Sequence, residues 1–210
     1  MFCLQKLRAG CTVVPKALVL NTVPTNNFWA WLTFIFNSKY SQTIVERVSK
    51  SRIDQVGPDR ACGEWLMRNG AMIRWKGHNQ FVSHYDKLPK DDDIGKYRLQ
   101  EVDATDASIS HHGFPHFKNC NYVECIKFDR CSYLEDEALH QLVLVKSSLE
   151  SLLIFRCGNL TDKGILSIAN LLKLRTLEMG DLIEVRDMKK CVKMLQAALP
   201  NCHIKYMLPK

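Results

Sequence analysis

Val123-x-x-Ile126-x-Phe128-x-x-Cys131-x-x-Leu134-x-Asp136-x-x-Leu139 decides the fold, because the chain uses it again. Moved 26 residues along, it becomes Leu149-x-x-Leu152-x-Ile154-x-x-Cys157-x-x-Leu160-x-Asp162-x-x-Ile165, with chemical type kept at every position. A third copy supplies Leu174, Leu177, Met179, Leu182, Val185 and Asp187. Upstream, Leu99, Val102, Ala104 and Ala107 form an earlier one, and a weaker copy begins at Ile73 and Trp75. A fixed period of about two dozen residues is the mark of stacked units.

The unit can be read physically. In LxLx, alternating apolar residues make a short strand with one face inside. The Cys three positions later turns under the strand, where a small side chain fits. Leu134-Glu-Asp136 and Leu160-Thr-Asp162 then place an oxygen side chain before a helical stretch, the position of an N-cap. Leu139, Leu142 and Val143, and again Ile165, Ile168, Ala169 and Leu172, carry helical spacing. Each unit is strand, turn, helix, and one alone cannot bury its own faces. The expected fold is α/β: a leucine-rich-repeat solenoid of about four cysteine-type repeats over 73–210, closed by Ile204-x-Tyr206-x-Leu208.

A different region, 28–72, precedes the repeats. Gly57-Pro58 starts a helix, since Pro suits the first turn. Ala61, Cys62, Trp65 and Leu66 form its apolar stripe, and Asn69-Gly70 ends it. An earlier helix is expected over much of 28–50. This small, mainly helical module would cap the open edge of the first repeat.

Composition narrows the function classes. The formal charge is +7 over 210 residues, and residues 1–45 hold Lys6, Arg8, Lys16 and Lys39 with no acid. A basic, acid-free start reads as a mitochondrial transit peptide over 1–27. A secretory signal would need a compact apolar block, which Pro15 and Lys16 interrupt. Without that leader the charge is near +4 and undensely spread, which argues against nucleic acid as a partner. The longest apolar run, Phe28 to Phe36, is about half a membrane span. Its Trp and Phe residues suit either a bilayer surface or the core of the cap. Nine cysteines occur without a CxxC pair, so buried reduced thiols are expected rather than zinc ligands or a redox motif.

Phe28-Trp-Ala-Trp-Leu32, Val56-Gly-Pro-Asp-Arg60, Glu64-Trp-Leu66 with Gly70-Ala-Met72, Asp103-Ala-Thr-Asp106 and Leu160-Thr-Asp-Lys-Gly-Ile165 resemble subunit s of mitochondrial ATP synthase, the coupling factor B family. The resemblance runs in order from about Phe28 to the C-terminus. It implies a non-catalytic adaptor on the matrix side of the inner membrane, bound to the membrane sector of ATP synthase. Such an adaptor supports proton conduction and limits proton leak. The resemblance also implies Mg2+ held at Gly70 and Thr105.

The repeat register puts Gly70 before one strand and Thr105 after the next, at opposite ends of parallel neighbours. That leaves open a shifted register, a curled chain, or an ion between two copies of the chain. Asp129-Arg-Cys131 stands where mammalian members carry a CxC pair, so a dithiol role does not carry over. The stretch Asn37–Ile53 is longer than the family pattern, as a helix extension or a loop.

Other candidates are weaker. His111, His112 and His116 have no accompanying carboxylate motif, and His111 and His112 would point opposite ways if extended. Lys90-Asp91-Asp92-Asp93 lacks EF-hand spacing and reads as a solvated loop. No P-loop, G-x-S-x-G or G-x-G-x-x-G occurs, so no enzyme class is supported. Asp103 and Asp106 flank a strand end, as turn caps or as part of a partner edge. Two further functions stay in view: an assembly factor for the membrane arm of respiratory complex I, and an F-box-type substrate receptor.

Overall fold

The structure, a computed structural model, describes residues 50–88, 93 and 95–207. The expected leader, the aromatic run Phe28–Phe36, the first helix over 28–49, residues 90–92 of the acidic run and Leu208 lie outside these residues.

Two helices come first, α1 (Lys50–Val56) and α2 (Pro58–Arg68), followed by strand β1 (Met72–Trp75). Then come β2 (Leu99–Thr105), β3 (Cys125–Asp129), α3 (Asp136–Gln141), β4 (Ser151–Phe155), α4 (Asp162–Ser167), β5 (Thr176–Gly180), α5 (Met188–Ala198) and β6 (His203–Met207). The six strands form one sheet in chain order. From β2 onward every pair is parallel and free of register shifts.

That register lines up the apolar positions read from the sequence. Val102, Ile126, Leu152, Leu177 and Ile204 form one row, and Ala104, Phe128, Ile154, Met179 and Tyr206 the next. Apart from the two β6 residues, every member is buried. One continuous core runs from Cys62 in α2 to Leu199 beyond α5. Cys131 and Cys157 turn under their strands as expected, both fully buried, and the Cys131 thiol donates to the Ala104 carbonyl at 2.8 Å. The seven cysteines among the described residues are free thiols.

Four sequence expectations are corrected. The weak copy at Ile73 and Trp75 is not a repeat, because β1 pairs antiparallel with β2. Period-two alternation fixes which face is buried but not which way the strand runs. Second, Asp136 does not cap its own helix. It reaches into the next unit and accepts from the Thr161 amide at 2.8 Å and hydroxyl at 2.6 Å. Asp162 repeats the contact, accepting from the Arg186 and Asp187 amides at 3.2 and 3.0 Å. Thr161, within the Leu160-Thr-Asp162 stretch, is the N-cap of α4 as read, and Asp187 caps α5.

Third, α3 and α4 end after six residues in short 3-10 turns, so Val143 and Leu172, expected on the buried stripe, are exposed. Fourth, His111 and His112 lie in a 3-10 turn (His111–Phe117) with ring centroids 3.9 Å apart, rather than on opposite faces of an extended chain.

α2 sits where a cap was expected. Its indole Trp65 is buried, stacked on His116 at 5.1 Å and edge-on to Phe114 and Phe117. Pro58 occupies the first turn, and Asn69 with Gly70 (φ 95°) ends the helix as read. The α1 helix occupies the end of the extended 37–53 stretch.

Two stability predictions follow from this packing. Leu152→Asp places an unpaired carboxylate between Ile126 and Leu177 and is expected to abolish cooperative unfolding. A melting curve like that of the unaltered chain would refute the register. Gly164 lets α4 lie against α3: a Cβ there would come within 2.3 Å of Asp136 Oδ1 and 3.0 Å of its Cα. Gly164→Ala should therefore cost about 1–3 kcal/mol by chemical denaturation.

Candidate functional site

Each of β2 to β5 is followed directly by a residue in the left-handed conformation: Asp106, Arg130, Arg156 and Asp181, with φ between 53° and 56°. None is glycine, so the turn is held by its contacts. The Asp106, Arg130 and Arg156 amides each donate across to the last residue of the next strand, at 2.8–3.0 Å. The side chains join the same ladder. Arg130 forms a two-point bond with Asp106 at 2.6 and 2.7 Å, and Arg156 one with Asp129 at 2.8 and 2.5 Å. The Arg130 bond holds the Asp106 carboxyl below the usual carboxylate range.

Asp103 lies one row deeper. It accepts from the Thr105 hydroxyl at 2.5 Å and amide at 3.1 Å, and from Lys127 at 3.3 Å. Of the two readings of Asp103 and Asp106, the geometry displays turn capping and ion pairing within the fold. The sequence reading missed Asp129, Arg130 and Arg156. Arg130 and Arg156 carry a signal, a charged residue recurring just after each strand, which the apolar pattern does not weigh; Asp129, the last residue of β3, carries none.

Antiparallel pairing of β1 resolves the position of Gly70. Met72 pairs with Asp103, so Gly70, two residues before Met72, and Thr105, two residues after Asp103, lie toward the same end of the β1–β2 pair. The two positions therefore share one end of neighbouring strands, where the sequence register had put them at opposite ends. Both are half-buried. Among the described residues no group of three His, Cys, Asp or Glu side chains is placed to hold a metal ion. The nearby carboxylates already serve Thr105, Lys127 and Arg130. A site there would have to draw on main-chain oxygen, a donor that suits a cation keeping most of its waters, as Mg2+ does.

The cap carries two buried carboxylates that sequence reasoning also passed over. Asp59 accepts from the Leu99 amide at 3.0 Å and from Arg98 at 3.4 Å, tying the start of α2 to the start of β2. Burial raises its pKa despite these donors. Glu64 is also pushed up by burial, but bonds from Arg52 and Arg60 outweigh this and leave it lowered.

The histidines do not gather into a ligand set. His116 is buried against Trp65 and bonded through Nδ1 to the Gly113 carbonyl; burial lowers its pKa. A lowered histidine pKa favours the neutral form in the fold. The stability it contributes is full above the ordinary histidine value and is lost as pH falls below it, through the lowered folded value. Chemical denaturation at pH 7.5 and pH 5.5 is expected to show lower stability at the acid value. His116→Gln should flatten that dependence; an unchanged slope would assign it to other groups.

Fold and site together define an α/β protein with a mostly parallel sheet whose strand ends are joined by repeated ion pairs. No protein-family model matches the chain. Its sequence is 39% identical over 181 residues to ATP synthase subunit s, mitochondrial, of Bos taurus, covering 85% of this chain and 86% of the relative. The Homo sapiens protein of that name is 38% identical over 184 residues, and the Mus musculus protein 36%, each covering 86% of this chain and 87% of the relative. The chain belongs to the family of mitochondrial ATP synthase subunit s.

Proposed function

We propose that this chain is a non-catalytic, mitochondrial leucine-rich-repeat adaptor of ATP synthase. In this reading it sits on the matrix side of the inner membrane, contacts the membrane-sector subunits, and supports proton conduction by limiting leak. The observation that carries the reading is identity of 36–39% to proteins named ATP synthase subunit s across about 86% of both chains. The stacked architecture is consistent with it. Parallel strands, each followed by a turn and a helix in three successive units, present a broad sheet face, an arrangement suited to binding by contact. No helix among the described residues is long and apolar enough to cross a membrane.

The same reading gives Gly70 and Thr105 a role. Their main-chain oxygens, toward the same end of the β1–β2 pair, would hold a Mg2+ ion that retains several waters, joining β1 to β2 at the cap. Such an ion would supply structural cross-linking. Chelation is therefore expected to lower the melting temperature, and millimolar MgCl2 to restore it, with CaCl2 less effective because its preferred coordination is larger. Identical melting in EDTA and MgCl2 would remove the metal from this account.

The test of the function is a tagged chain purified from gently solubilised mitochondria, with its companions read by mass spectrometry. Enrichment of ATP synthase membrane-sector subunits is the expected result. Enrichment of complex I assembly proteins, or of neither, would overturn the assignment and leave the fold intact.

A further inference from the structure

The two ends of the sheet are finished differently. At the first end, the outer side of β1 is bridged by Val82, which exchanges two main-chain bonds with Ile73 at 2.7 and 3.1 Å. At the other end, β6 pairs with β5, and no strand among the described residues pairs with its outer side. The core there is also incomplete. Inward positions of β2 to β5 are buried, whereas Ile204 is half-exposed and Tyr206 is 37% exposed.

The backbone of β6 is regular and open. The His203 amide donates inward to the Arg175 carbonyl at 2.7 Å. By the alternation of a parallel ladder, Lys205 and Met207 also turn their main-chain groups toward β5, so those of Ile204 and Tyr206 face outward. A regular edge of this kind is a template for another strand.

Charge decides what the occupant can be. The open-face side chains of β6 include His203 and Lys205, both exposed, and Lys205 is bonded on one side to Glu178 at 3.0 Å. A second copy paired antiparallel along all of His203–Met207 would set Lys205 opposite Lys205, which is destabilising. An acidic residue at that place would instead complete a row of alternating sign, Glu178, Lys205, acid. We propose that the outer edge of β6 docks an extended segment of a partner protein, with apolar residues beside Ile204 and Tyr206 and an acidic residue opposite Lys205. This holds whichever complex the chain serves.

The test uses the full chain and two fluorescein-labelled peptides, TVTVEVTV and TVTVKVTV, followed by fluorescence anisotropy. The acidic peptide is expected to bind about tenfold more tightly than the basic one. Tyr206→Pro removes an outward donor and spares the bonds to β5, so it should abolish the binding while thermal unfolding stays cooperative; Tyr206→Phe should keep it. Lys205→Glu should reverse the preference between peptides, and it tests the proposal even if the proline variant fails to fold. Absence of binding, or a preference that Lys205→Glu leaves unchanged, would overturn the proposal. So would self-association in sedimentation that is lost in Tyr206→Pro, which would make a second copy the occupant.

Discussion

Stacking in register is the constraint on which the rest of this structure depends. A five-residue strand followed by a six-residue helix buries too little apolar surface to be stable alone. Placed beside its neighbours, each strand contributes two side chains to rows that run across the sheet. Ile126, Leu152 and Leu177 have no exposure because the units on either side cover them. Each such residue is worth roughly 1.5–3 kcal/mol only when both neighbours are present. The sequence period exists because every unit must offer the same shape to the next.

Polar contacts fix the spacing that the apolar rows require. Asp136 and Asp162 each hold the helix entry of the following unit, and Gly164 leaves room for the first of these to close in. At the strand ends, left-handed residues turn the chain and pass their amides to the next strand. The Arg130–Asp106 and Arg156–Asp129 pairs add two-point bonds along the same direction. Partly exposed pairs of this type contribute modestly in isolation. Here they select one register among the slips that a repeated sequence would otherwise permit.

Much of this was legible in the sequence. The strands centred on Lys127, Leu153 and Glu178 fall where the LxL pattern put them, and the cap helix begins at Gly57-Pro58 and ends at Asn69-Gly70. What could not be read was direction and reach. Met72 to Trp75 alternates like a repeat strand, yet runs the other way, and that reversal brings Gly70 and Thr105 toward the same end of the pair. An aspartate before a helix looks the same whether it caps its own helix or the next one. Charged residues in left-handed turns carry no apolar signature, so Arg130 and Arg156 stayed invisible to periodicity. The Gly70 and Thr105 expectation rests on family resemblance alone, since main-chain oxygen leaves no mark on residue type.

If stacking is the governing interaction, the units cannot unfold one at a time. Native-state hydrogen exchange of the full chain, read amide by amide, tests this most directly. The account predicts that amides donated within β3, β4 and β5 exchange only through one shared opening, with the same denaturant dependence and the free energy of global unfolding. Separate openings for β3, β4 and β5, each with its own lower free energy, would contradict it.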